Sequence, residues 1–134
     1  MTIDIAACRA TLQMRQQQQF RAREQRRLAA LQTLRAAGKR VLPAFPIVQR
    51  AYLFGSVLRP GALRATSDVD IAIEGTLDAE TYFAIWRALE MAAEGWDIEV
   101  VELGDDVRFA ARVREQGELI YERPDSTIES RHHR

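Results

Sequence analysis

Apolar and polar positions follow a helical period at the start of the chain and a strand period further on. Residues 3–37 contain no glycine or proline, so we expect one long helix that Thr2 caps and Gly38 ends. Its apolar positions are sparse at first and denser later: Ile5, Leu12 and Phe20, then Leu28, Leu31 and Leu34. The second half should therefore pack on the body, and the first should project outward or pack on a partner.

Short apolar segments after this helix predict strands, separated by two amphipathic helices. The strands are expected at 47–54, 69–74, 96–103 and 118–122, with a connector at 38–46. The first helix should run from its cap Asp78 to about Ala93, and the second from Asp105 or Asp106 to Gln116, before Gly117. The buried face of the first should consist of Tyr82, Phe83, Ile85, Trp86 and Leu89. This order predicts an α/β (α+β) fold, a small mixed β-sheet with flanking helices.

Three segments divide the chain by composition and charge. We expect a basic helix at 1–38, the main domain at 47–123 and a flexible tail at 124–134, which includes His132 and His133. Residues 1–50 carry a net charge of +8 and the others carry −8. A basic arm of this kind binds nucleic acid or an acidic partner surface, or is simply a solvated helix face.

Cysteine content and hydropathy exclude several classes. Cys8 is the only cysteine, so no internal disulfide can form, and we expect it to be a buried or half-buried small apolar residue. No apolar window is long enough to span a bilayer, and we identify no secretory signal. We expect a cytoplasmic protein with no membrane partner.

Two carboxylates at the start of a predicted strand suggest a metal site. Asp68 and Asp70 lie at i and i+2, so both should point to the same face. Such a pair repels itself unless a cation neutralises it, and Mg²⁺ typically takes one or two carboxylates plus phosphate oxygens. Alone, a D-x-D is more typical of two exposed aspartates at the start of a strand, one of them acting as a turn cap.

A Gly-Ser turn just upstream makes the pattern more specific. Gly55 and Ser56 end the preceding strand, where glycine allows close approach to a phosphate and the serine adds a hydroxyl donor. A third carboxylate should come from the strand at 96–103. That strand offers Asp97, Glu99 and Glu102, of which the first two share a face and Glu102 lies on the opposite one by alternation. We choose Glu99 because it lies in the middle of the strand.

The residues FGS followed by SDVDIAIEG resemble the GS…D-x-D motif of the DNA polymerase β-like nucleotidyltransferase superfamily. More narrowly, the chain resembles the minimal nucleotidyltransferases (MNT) over about residues 47–123, including WDIEVVEL and VREQGELIYER. The resemblance implies a nucleotidyltransferase fold. It also implies that Gly55 and Ser56 bind the nucleotide, while Asp68, Asp70 and Glu99 are catalytic and bind two Mg²⁺ ions.

The resemblance also implies a partner and a reaction. Minimal nucleotidyltransferases are often paired with a small all-helical HEPN-type toxin. There they resemble antitoxins, and some transfer AMP from ATP to a tyrosine of the toxin. We therefore expect ATP or another NTP as substrate and a hetero-oligomer with such a partner. Arg59 and Arg64, in the loop after Gly-Ser, are candidates to contact phosphate or the partner.

Two departures from the family pattern leave an alternative open. The spacer between Ser56 and Asp68 has eleven residues, where ten or fewer is commoner, and the third acid is glutamate where aspartate is usual. The glutamate favours a catalytically weak or inactive module that neutralises a partner by binding alone. A small-molecule nucleotidyltransferase or a direct nucleic-acid binder is less favoured, because we find no acceptor domain and the basic region is confined to the first helix.

Overall fold

The computed structural model describes residues 3–124 and contains three α-helices and four strands in that range. The elements are α1 (Ile5–Val41), β1 (Arg50–Phe54), β2 (Val69–Glu74), α2 (Ala79–Ala92), β3 (Ile98–Leu103), α3 (Val107–Gln116) and β4 (Glu118–Glu122). Short 3-10 helices follow α1 at Leu42–Ala44 and β1 at Gly55–Leu58. Thr2 and residues 125–134, with both histidines, lie outside the described residues.

The four strands form one mixed sheet in the order β3-β2-β1-β4. Strand β1 pairs antiparallel with β2 and with β4, whereas β2 and β3 are parallel and are joined through α2. Parallel strands need such a crossover because the C-terminus of β2 and the N-terminus of β3 lie at opposite ends of the strands. The mixed sheet predicted from the order of elements is confirmed.

Alternating side chains give the sheet two apolar faces with different coverings. The main core includes Leu31 and Leu34 of α1, Ile85 and Leu89 of α2, and strand residues such as Ile71. A smaller cluster on the other face combines α3 with the strands and contains Tyr52, Ala72, Leu103, Ala110 and Val113. Because α3 has only ten residues, it covers only part of this second face.

The bounds of α1 differ from the prediction at both ends. Asp4 caps the helix in place of the predicted Thr2, and its carboxylate accepts from the Ala7 N–H at 3.0 Å. Gly38 does not end α1, which continues to Val41. A Cβ on Gly38 would approach the Ile120 side chain to 2.9 Å, so this glycine allows the helix to pack closely against β4.

Three predicted burial assignments were wrong. Leu28 is 55% exposed, because the buried stripe of α1 instead passes through Ala30, Leu31, Leu34 and Ala37. Phe83 is 53% exposed and stacks on Trp86 at the outer side of α2. Cys8 is exposed, as is every described residue of the first half of α1 up to Arg23. That half projects from the body, as predicted.

The strand bounds agree with the prediction for β2 and β4, whereas β1 and β3 begin later than expected. Strand β3 starts at Ile98 because Gly95, at a φ of 92°, and Trp96 form a turn closed by a hydrogen bond to Ala93. The predicted caps Asp78 and Asp106 both accept from the backbone of their helices. No helix in residues 3–124 is both long enough and apolar enough to cross a membrane.

Candidate active site

The pairing register places Asp70 between the end of β1 and the edge strand β3. Asp70 is opposite Phe54 in the antiparallel pair and next to Glu99 in the parallel pair. Asp68 lies one residue before β2, whose first N–H, at Val69, donates to the carbonyl of Asp97 at 2.8 Å. The three predicted carboxylates therefore lie at one end of two neighbouring strands.

The Gly-Ser turn lies directly against Asp70. Gly55 has a φ of 80°, a left-handed conformation that suits glycine, and it begins the 3-10 helix Gly55–Leu58. A Cβ on Gly55 would come within 2.7 Å of Asp70 Oδ2. The predicted turn and the predicted carboxylates are therefore adjacent in the folded chain, although eleven residues separate Ser56 from Asp68.

The electrostatics of Asp70 differ from those of an ordinary surface aspartate. Partial burial, followed by the charges of Glu99 and Asp68, raises the pKa of its carboxyl group. No arginine or lysine within residues 3–124 forms an ion pair with any of the three carboxylates. The negative charge of Asp68, Asp70 and Glu99 is therefore not neutralised by an ion pair with any cationic side chain of residues 3–124.

The backbone on both sides of Glu99 is fixed by two aromatic residues of α2. The Tyr82 hydroxyl donates to the Val100 carbonyl at 2.6 Å, and the Trp86 indole N–H donates to the Ile98 carbonyl at 2.7 Å. These carbonyls belong to an edge strand and would otherwise need water. Glu102 was predicted to lie on the opposite face of β3 from Glu99, and this is correct. Its carboxylate accepts a hydrogen bond from the Leu77 N–H at 2.9 Å.

Magnesium is the metal that this donor set fits by its chemistry. Carboxylate oxygens are the ligands that Mg²⁺ prefers. A cation would relieve the repulsion by Glu99 and Asp68, which adds to partial burial in raising the pKa of Asp70. As their side chains stand, no three histidine, cysteine, aspartate or glutamate residues in the described range are grouped closely enough to hold a metal ion. Asp68 and Glu99 are exposed, so they can rotate toward Asp70 without displacing packed atoms.

A cavity of about 420 Å³ opens beside the Gly-Ser turn, which is the size range of small-ligand sites. Phe54 and Phe109 line it and pack edge to face with ring centroids 5.7 Å apart. Arg59 and Arg112 also line it, and neither forms an ion pair with any residue from 3 to 124. An apolar wall with two cationic side chains next to the Gly-Ser turn has the chemistry that suits a nucleotide.

Sequence reasoning found part of this cavity. Arg59 was a candidate and lines it, whereas Arg64 does not and lies in the loop beyond, where its N–H donates to Ser67 Oγ at 3.0 Å. Phe109 and Arg112 were missed. Their three-residue spacing on α3 was the available signal, because residues so spaced share one helix face.

Comparisons with known proteins support the fold. The family model described as "Polymerase beta, Nucleotidyltransferase" matches residues 39–126. No curated protein matches the chain.

Solved structures of toxin–antitoxin systems are similar to the chain. One is a toxin–antitoxin with AMP-PNP, at a TM-score of 0.55 and 25% identity over 74% of this chain and 87% of that one. Another is a tri-AMPylated Shewanella oneidensis HEPN toxin in complex with MNT antitoxin, at a TM-score of 0.51 and 26% identity over 69% and 72%. A MntA–HpeT mutant has a TM-score of 0.56 at 24% identity over 74% and 87%, which supports the fold alone.

Proposed function

Because the chain belongs to the polymerase β nucleotidyltransferase family, we propose that it is an antitoxin. It would transfer AMP from ATP to a tyrosine of a HEPN-type toxin. The observation that carries this proposal is the position of Asp70, in register with Glu99 and in contact with the Gly55 turn. Support for the substrate and the partner comes from the similar structures with AMP-PNP and with an AMPylated HEPN toxin.

The turn and the cavity would bind the nucleotide. The backbone of Gly55 and the hydroxyl of Ser56 would hold phosphate oxygens, because glycine leaves no Cβ between the backbone and the ligand. Arg59 and Arg112 would pair with the triphosphate charge, and the Phe54 wall would cover an apolar part of the nucleotide. These contacts would align the α-phosphorus with the carboxylates.

The carboxylates would bind the metal and assist the acceptor. Asp68, Asp70 and Glu99 would hold two Mg²⁺ ions, whose chemistry is to neutralise triphosphate charge and to favour loss of the acceptor proton. A carboxylate oxygen of Glu99 would accept that proton from the tyrosine hydroxyl. The tyrosine oxygen would then bond to the α-phosphorus as the bond to pyrophosphate breaks.

The direct test incubates the purified protein with its partner toxin, ATP and Mg²⁺, followed by intact-mass measurement of the toxin. We expect one or more AMP additions on tyrosine, and none with the double variant Asp68→Asn, Asp70→Asn. Omitting Mg²⁺ with a chelator should also prevent transfer. An unmodified toxin after incubation with the folded wild type would refute the enzymatic proposal.

A second candidate is neutralisation by binding alone. It is favoured by the side-chain arrangement in residues 3–124, where no three potential ligands are yet grouped around one metal position, and by the projecting first half of α1. In this case the double asparagine variant would still neutralise the toxin in cells. Under the enzymatic proposal the same variant binds the toxin but fails to neutralise it.

A further inference from the structure

The long loop that joins the two parts of the candidate site is held by α1. We call residues 57–67 the spacer loop, since they separate Ser56 from Asp68. The family model begins at residue 39, so nearly all of α1 lies outside the region that it matches. About two turns of that helix, residues 20–27, nevertheless contact the spacer loop along most of its length.

Glu24 makes the central contact. One carboxylate oxygen accepts from the Gly61 N–H at 2.6 Å, and the two oxygens also accept from Arg27 at 2.8 and 3.0 Å. The Arg27 hydrogen bond and then the Gly61 N–H lower the pKa of Glu24, so this carboxylate is charged at neutral pH. Arg27 in turn donates to the Val57 carbonyl at 3.3 Å, one residue after the Gly-Ser turn.

Two further side chains of α1 hold the middle and the end of the spacer loop. The ring of Phe20 lies against Gly61, whose φ is 72° and where a Cβ would be 2.5 Å from the ring. Arg26 donates to the Ala65 carbonyl at 3.1 Å while its guanidinium stacks over Trp96 at 4.5 Å. The loop is thus fixed near its start, middle and end by one stretch of helix.

Fixing this loop matters because its two ends carry the turn and the first carboxylate. A loop restrained only at its ends would sample many conformations, and binding a nucleotide would then have to order it. We infer that the 20–27 stretch of α1 is a clamp that preorganises the spacer loop, with Glu24 as the positioning residue for nucleotide binding. The inference rests on the proposed function, since it concerns that same nucleotide site.

The test compares three variants with the wild type by calorimetric titration with AMP-PNP and Mg²⁺. Glu24→Ala should weaken binding by about tenfold, the scale of one lost charge-assisted hydrogen bond. Glu24→Gln should recover part of the affinity, because the amide oxygen can still accept from the Gly61 N–H. Hydrogen exchange of the peptide spanning 57–67 should rise in the same order.

Glu118→Ala is the matched control. It removes a comparable two-bond pair of α1, in which Arg35 donates at 2.6 and 2.5 Å, but this pair ties the helix to β4 rather than to the loop. A purely structural role for Glu24 would lower the fraction of protein that binds and leave the Kd unchanged, as we expect for Glu118→Ala.

The outcomes separate the two proposals. If the wild type fails to bind AMP-PNP, the proposed function fails and this inference fails with it. If the wild type binds and Glu24→Ala has the same Kd and the same loop exchange, only the clamp is refuted. Equal weakening by Glu24→Ala and Glu118→Ala would also refute it, because loss of either pair would then act through α1 docking in general.

Discussion

Substituting Gly55 with alanine tests the contact between the Gly-Ser turn and Asp70. The new Cβ would lie 2.7 Å from Asp70 Oδ2, whereas ordinary contact begins at 3.4 Å, so the carboxylate must move by about 0.7 Å. Misplacement of a reacting group by about 1 Å can cost about 100-fold in rate. We therefore expect AMP transfer by Gly55→Ala to fall by between tenfold and about 100-fold.

Backbone strain must be separated from this displacement. Alanine at a φ of 80° costs about 1 to 2 kcal/mol in the free energy of unfolding, because its Cβ crowds the following carbonyl. Gly95 is the matched control: its φ is 92°, and a Cβ there would meet nothing within 4 Å. Gly95→Ala should lose similar stability and keep its transfer rate.

Two assays decide the comparison. Urea unfolding measures the stability of both variants, and the initial rate of AMP transfer to the toxin measures their activity. Similar stability losses with an activity loss only in Gly55→Ala would support the contact. The reasoning is refuted if Gly55→Ala retains full transfer, or if Gly95→Ala loses as much.

Three further predictions concern the metal site, the third carboxylate and the core. The raised pKa of Asp70 means that its charged form is less stable in the folded state, so Asp70→Asn should raise the melting temperature at pH 7 in chelator. This gain should fade as the pH falls through the raised folded-state pKa of Asp70, and it should vanish below the ordinary aspartate pKa of about 3.9, where the carboxyl is protonated in both states. Adding Mg²⁺ should also shrink it; a gain that stays constant across this pH range would contradict the burial argument. Glu99→Gln should lower transfer by about 100-fold or more, whereas Glu102→Gln, on the opposite face, should change it little; equal losses would show that the strand parity does not define the site. Leu34→Ala should lower the free energy of unfolding by about 2 to 5 kcal/mol, because Leu34 is fully buried. Leu28→Ala should lower it by less than about 0.5 kcal/mol, because Leu28 is exposed. Similar losses would contradict the observed choice of the α1 face that packs on the core.

Local patterns were sufficient to predict the strand positions of the candidate site. Glu99 could be chosen over Glu102 because side chains alternate strictly in a strand, and β3 contains no irregularity that would reverse the parity. Likewise, Asp70 and the Gly-Ser turn could be placed on neighbouring strands from their order along the chain.

The parts that the sequence did not reveal depend on contacts between distant elements. The cavity needs α3 packed across the sheet, and its position relative to the turn follows from the Phe54–Phe109 contact. Gly38 has the local signature of a helix end, but close packing on Ile120 is what requires a glycine there. The hydrogen bond between Glu24 and the Gly61 N–H joins residues 37 positions apart. Helix and turn patterns in the sequence do not predict contacts at that separation.

The exposed Cys8 gives the protein a ready attachment point for a spectroscopic probe. It is the only thiol in the chain, so a maleimide dye would label one known position without any added mutation. At 1.5 Å of rise per residue, that position is about 18 Å along α1 from Phe20, the first residue of the clamp. A dye there would report, through its anisotropy or energy transfer, when a partner approaches the projecting half of the helix, while leaving the turn and its carboxylates unmodified.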